Sequence, residues 1–120
     1  LGGALDRAAA ERLQASLVVE GAHLPTTLDG DRRLRERGIL VIPDLLACAG
    51  GVTLAYFEWV QNLQQLFWDE ADVLGKVERV ILQAFTEVRD QVAQRDCSWR
   101  HGALALALSR VRAATELRGW

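Results

Sequence analysis

Methionine is missing altogether from this chain of 120 residues, and lysine, tyrosine, cysteine, proline and histidine occur only once or twice each. Each scarcity excludes something. Two cysteines, Cys48 and Cys97, cannot build the disulfide framework of a small secreted scaffold, so both read as free thiols in a reducing, cytoplasmic setting. His23 and His101 lie far apart, and neither pairs with a cysteine at a zinc-ligand spacing, so no metal site is expected. No apolar run approaches the roughly 18 residues of a membrane span, and the N-terminus lacks the basic segment and apolar core of a secretion signal. Fourteen basic and sixteen acidic residues leave a net charge of −2. That balance gives no reason to expect nucleic acid or a membrane as partner. The missing methionine at position 1, and an opening "LGGALDRAAAERL" that reads like the middle of a domain, raise the expectation of a fragment or processed piece.

What is present is an ordinary globular composition, half apolar and one quarter charged. It is enough for one domain that buries about two-thirds of its unfolded surface. "SLVVE" (16–20) is short, β-branched and apolar on both faces, the pattern of a strand covered on both sides. "GAHLPTT" follows as a loop with Gly21 and Pro25 as breakers. Thr26 or Thr27 caps a helix expected from about Leu28 to Arg37, and Gly38 ends it. "ILVI" (39–42) is a second strand, terminated by Pro43. Strand, helix, strand makes one βαβ unit and hence a parallel pair, which needs neighbours to be stable. Three helices are expected behind it. The first runs from Val52 to about Phe67. The second carries a stripe of Val73, Val77, Val80, Ile81, Ala84, Phe85, Val88 and Val92, with the acids of "WDEAD" at its start. The third spans 103–117 and repeats the stripe through Leu104, Ala107, Leu108, Val111 and Ala114. "QRDCSWRHG" reads as the loop between the last two.

The functional question centres on "PDLLACAGGVTLAYFEWVQN" (43–62). Two glycines stand directly before an apolar helix, where glycine lets the backbone approach a ligand. A tight turn before a helix is the plainer reading of the same pair. In doubly wound sheets ligands bind beyond the carboxyl ends of the parallel strands. Here those ends carry "EGAH" and "PDLLACAGG". A nucleophile and base made from Cys48 and His23, oriented by Asp44, requires hydrogen-bond geometry that spacing alone does not supply. Glu58 reads as a structural carboxylate, Lys76 as a solvated cation, and Trp68, Trp99 and Trp120 as packing against a domain or subunit outside the chain. Arg110, Arg112 and Arg118 spread around their helix and make no nucleic-acid face.

The wording "VVEGAHLPTT…RGILVIPDLLACAGGVTLAYFEWVQN" resembles the glutamate dehydrogenase family, and the resemblance runs from about Ser16 to the terminal "LRGW". It implies an α/β fold: a partial Rossmann-like parallel sheet followed by a C-terminal helical region. Residues 1–50 would be the second half of a dinucleotide-binding domain and 51–120 its helical continuation. It implies NAD or NADP as cofactor and oxidative deamination of L-glutamate to 2-oxoglutarate and ammonia. By the same resemblance, Gly21, Ala22, His23, Cys48, Ala49, Gly50 and Gly51 line the nicotinamide end of the cofactor, and Val52 and Ala55 face the substrate. The catalytic lysine and aspartate, the Gly-rich phosphate loop and the acid that selects the cofactor belong to sequence preceding this segment, so no catalytic residue is assigned here. The family implies a homo-oligomer, usually a hexamer. Three positions depart from its pattern: His23 and Cys48 replace asparagines, and Ala55 replaces a substrate-binding serine. A thiol is a weak donor and acceptor, and alanine offers neither. Each lost bond to a buried group costs about 1–3 kcal/mol. These losses favour an alternative, a non-catalytic regulatory subunit or degenerate homologue.

Overall fold

The computed structural model describes residues 2–119. Eight elements follow in order: α1 (Arg7–Arg12), β1 (Leu17–Val19), α2 (Leu28–Glu36), β2 (Leu40–Ile42), α3 (Asp44–Ala47), α4 (Ala49–Gln64), α5 (Glu70–Arg95) and α6 (Trp99–Leu117). The strands are parallel, with Leu17 opposite Leu40, Val18 opposite Val41 and Val19 opposite Ile42. The fold is the expected βαβ unit with C-terminal helices. Thr27 caps α2 by accepting from the Gly30 N–H at 3.1 Å, and Gly38 leaves the helix at φ 69°, a left-handed geometry that suits glycine.

Successive residues of a strand face opposite ways, and β2 uses this to join two cores. Val41 enters a cluster with Ala10, Leu34 and Ile39, whereas Ile42 packs against Leu46, Val88 and Ala103. α1 and α2 therefore cover one face of the pair, and α3, α5 and α6 the other. α1 has no counterpart among the expected elements. Asp6 caps it by accepting from the Ala9 N–H at 2.7 Å, and Arg33 of α2 donates two bonds to Glu11. The hydrogen bond from Arg33 holds the exposed Glu11 carboxyl below its ordinary range.

Several boundaries differ from the sequence reading. β1 is not covered on both sides: Leu17 and Val19 remain 48% and 59% exposed. α3 occupies what reads as a loop, and α4 starts at Ala49, so Gly50 and Gly51 lie within its first turn. α6 starts at Trp99, because Ser98 caps it and accepts from the His101 N–H at 3.3 Å. The stripe expected on α6 faces outward, with Leu104, Leu108 and Val111 exposed. The face that meets α5 instead contains Gly102 and Ala103, and a Cβ on Gly102 would come 2.8 Å from Val92 Cγ2. Close helix approach, not apolar count, selects the buried face. Two of the tryptophans also make contacts within the chain. Trp68 stacks edge-on with Phe57 at 6.0 Å and lies under Lys76 Nζ at 4.7 Å, which removes Lys76 from a purely solvated role. Trp99 meets Phe85 at 5.0 Å. Trp120 lies outside the described residues. No helix among the described residues is long and apolar enough to cross a membrane.

Candidate functional site

Both strands end on the same side, and their following residues carry buried carboxylates. Glu20, directly after β1, is 2% exposed, and Asp44, first residue of α3, is 7% exposed. A buried carboxylate demands partners. Glu20 accepts from Thr26 Oγ1 and from the Asp44 N–H, the latter at 2.9 Å. Asp44 accepts from the Leu24 N–H at 2.8 Å and from the Leu45 N–H at 2.9 Å. The cation that compensates them comes from α6. Arg100 donates to Glu20 and, through Nε at 2.9 Å, to Asp31 of α2, while its Nη1 lies 3.7 Å from Asp44. Asp31 is shared with Arg35, 3.2 Å away. Burial alone would lower the Arg100 pKa, but its hydrogen bonds to Glu20 and Asp31 outweigh burial and raise it above the ordinary arginine range. Among the described residues no buried side-chain polar atom lacks a partner.

This ionic cluster shapes the loop between β1 and α2. Leu24 adopts φ 48°, a left-handed conformation that costs an L-residue about 1–2 kcal/mol. Its side chain is 72% exposed, so packing does not hold it there. The carboxylate of Asp44 on its N–H does, together with the Gly3 N–H donating to its carbonyl at 2.8 Å.

In front of the cluster lies an open cleft of about 470 Å³, lined by His23, Asp44, Leu45, Cys48, Ala49, Gly51 and Val52. The structure thus brings together His23, Cys48, Ala49, Gly51 and Val52 from the sequence-predicted residues. Gly21, Ala22, Gly50 and Ala55 do not line it. Ala55 sits exposed one helical turn beyond Gly51 and Val52 on α4. The Cys48 thiol donates to the Glu20 carbonyl at 3.4 Å, which gives it a backbone partner and no base. A Cβ at Gly50 or Gly51 would meet no atom of the chain within 4 Å, so the chain's own packing does not require glycine at either place. The cleft is within the size range of small-molecule sites, with a largely apolar wall and few polar groups. A second cavity, about 340 Å³ and lined in part by Arg35, Ile39, Cys97 and Trp99, lies toward the amino end of β2. Doubly wound sheets do not place ligands there. Among the described residues no group of three or more His, Cys, Asp or Glu could hold a metal ion.

Sequence reasoning missed Glu20, Asp31 and Arg100, and it weighed Asp44 only as an orienting group for Cys48 and His23, not as a member of this ionic cluster. One signal was available. An acidic residue directly after an apolar strand, as in "LVVE", needs a cation wherever the fold buries it.

Comparison with known proteins follows the same lines. The family model described as Glutamate/Leucine/Phenylalanine/Valine dehydrogenase matches residues 1–119. The chain is similar to glutamate dehydrogenase of Thermotoga maritima, 48% identical over 119 residues, covering 99% of this chain and 29% of that protein. It is similar to glutamate dehydrogenase B of Halobacterium salinarum, 46% identical over 119 residues, covering 99% and 28%. Among solved structures it superposes on the hetero-hexameric glutamate dehydrogenase of Thermus thermophilus, leucine-bound form, with a TM-score of 0.94 at 39% identity, covering 99% of this chain and 29% of that one. The chain therefore spans less than a third of the relatives it matches.

Proposed function

Because the chain belongs to the Glutamate/Leucine/Phenylalanine/Valine dehydrogenase family, we propose that it forms the nicotinamide-end part of an NAD(P)-dependent dehydrogenase acting on L-glutamate. Residues 1–50 supply the second half of the dinucleotide-binding unit and 51–120 its helical continuation. The observation that carries this reading is the cleft beyond the carboxyl ends of β1 and β2, with His23, Cys48 and Gly51 on its wall. When bound, the nicotinamide supplies the hydride acceptor. The residues of this chain bind and orient it: His23 toward a ribose hydroxyl, and Gly21, Ala22, Ala49, Gly50 and Gly51 by leaving the backbone open to it. Val52 and Ala55 face the substrate side. The exposed apolar residues of α4, among them Val52, Tyr56, Trp59 and Leu63, suit coverage by the remainder of a larger protein or by another subunit of an oligomer.

Gly51→Ala tests the cofactor half of this reading. Alanine in a helix is favoured over glycine by about 1 kcal/mol, and a Cβ here meets nothing in the chain. The full-length variant should therefore unfold no earlier than wild type, yet bind NAD(P) at least about tenfold more weakly by titration calorimetry. Unchanged affinity would exclude close approach of a cofactor at this turn.

The replacements at 48 and 55 favour a second reading, a subunit without activity of its own inside an assembly of unlike chains. Cys48→Asn with Ala55→Ser separates the two. The serine adds at best one charge-assisted bond to a substrate carboxylate, about 1.5–3 kcal/mol, and the asparagine one amide contact. For an enzyme, kcat/KM for glutamate should rise at least about tenfold. For a non-catalytic subunit, turnover by the purified homo-oligomer should stay at background.

A further inference from the structure

The loop that carries His23 is held from outside itself. Leu24, the next residue, sits at φ 48° with an exposed side chain, and its N–H donates to Asp44 Oδ2 at 2.8 Å. Asp44 is in turn fixed on three sides. Its own N–H donates to Glu20 at 2.9 Å, its second oxygen accepts from the Leu45 N–H at 2.9 Å, and Arg100 of α6 lies 3.7 Å away. Asp44 also lines the cleft, and Glu20, its neighbour, takes the Cys48 thiol on its carbonyl. One buried cluster thus touches the backbone on both walls of the cleft.

We propose that Asp44 is a positioning residue for the nicotinamide end of the cleft. Its carboxylate, backed by Arg100 and Glu20, locks the left-handed turn at Leu24 and so sets where the His23 imidazole meets a ribose hydroxyl. Arg100 ties the same cluster to α6. The proposal rests on the dinucleotide reading of the cleft, and its test separates the two.

Asp44→Ala and Asp44→Asn are made in the full-length protein. Hydrogen exchange of the segment 21–26 without ligand reads the turn itself, and exchange in α5 reports whether the fold is intact. Affinities are compared for NAD(P) and for its adenosine half alone, ADP or 2′-phospho-ADP, which lacks the groups that His23 would meet. In Asp44→Ala, exchange at 21–26 should quicken by about tenfold or more with α5 unchanged. Binding of NAD(P) should weaken by about tenfold, while the adenosine half changes by less than about twofold. Asp44→Asn keeps an oxygen acceptor for the Leu24 N–H, and a neutral acceptor is roughly half as strong as a charged one, so its losses should be nearer threefold. If Asp44→Ala loosens α5 as well, the asparagine variant carries the same comparison. Unaltered exchange at 21–26, or equal weakening of both ligands, overturns the positioning role. A wild-type protein that binds NAD(P) no tighter than the adenosine half overturns the reading of the cleft instead, and the exchange data alone then decide whether Asp44 locks the turn.

Discussion

Arg100→Met should cost about 3–5 kcal/mol of folding free energy, a loss of roughly a hundred- to several-thousand-fold in the folding equilibrium. The magnitude follows from what the arginine leaves behind. Methionine fills similar volume, but Glu20 and Asp44, both nearly inaccessible, lose their cation, and Asp31 keeps only Arg35. Removing one partner of a buried cluster costs far more than the cluster contributes net, because the uncompensated charge stays in the interior. Urea unfolding of the full-length protein reads the change as a lower midpoint. Three controls sharpen it. Arg100→Lys keeps the charge but cannot serve three carboxylates with one fork, so it should recover only part of the loss. Adding Glu20→Gln to Arg100→Met removes one stranded charge and should also recover part. In wild type, the raised pKa of Arg100 means that its contribution is complete below the unfolded arginine pKa and is lost only as pH rises through the folded value. Between pH 5 and 9 it therefore adds no slope. A methionine variant that unfolds with wild type would show that the cluster bears no charge worth compensating.

The elements that could be read in the sequence are those specified by neighbours in the chain. Thr27 and Gly38 bracket α2, Pro43 stops β2, and the valine-rich stripe announces α5, because capping, φ preference and helical period act within a few residues. α1 escaped because six residues carry too little period to stand out from a loop. α6 was misread for a different reason. In "GALALALSRVRAA" the six residues 103–108 are all alanine or leucine, so its composition supports more than one stripe. The choice falls to Gly102, where α5 comes too near for any side chain. The cleft was legible as a place, since the ends of two parallel strands name it. Its ionic support was not, because Arg100 lies 69 residues from Asp31 and 80 from Glu20. Only the fold brings them together, and the stretch carrying Arg100 reads locally as a loop.

Gly30→Ala makes the converse point, that a helix interior can reject the best helix former. Gly30 lies in α2, where alanine should gain about 1 kcal/mol over glycine. Its Cβ, however, would stand 2.3 Å from the Leu5 carbonyl oxygen, with further contacts at 3.2 Å to the same segment. That oxygen belongs to backbone and cannot rotate aside. It also accepts from the Thr27 N–H at 3.1 Å, while the Leu5 N–H donates to Pro25 at 2.8 Å. Relief therefore means moving the segment that leads into α1, breaking the bridge beside Thr26 and withdrawing Ala10 from Leu34. Overpacking of this severity costs about 3 kcal/mol or more, so the net loss should be about 2 kcal/mol, near thirtyfold in the equilibrium constant. Gly30→Val, with a larger side chain and a poorer helix propensity, should lose more. The consequence reaches the cleft, because Gly3 and Leu5 bond the carbonyls of Leu24 and Pro25, and these follow His23 directly. Hydrogen exchange should quicken at 21–27 together with α1, whereas Gly51→Ala, which meets no atom of the chain, should leave both unchanged. A Gly30→Ala protein as stable as wild type would mean that the N-terminal segment does not lie across α2 in solution, and the support of the His23 loop would then rest on Asp44 alone.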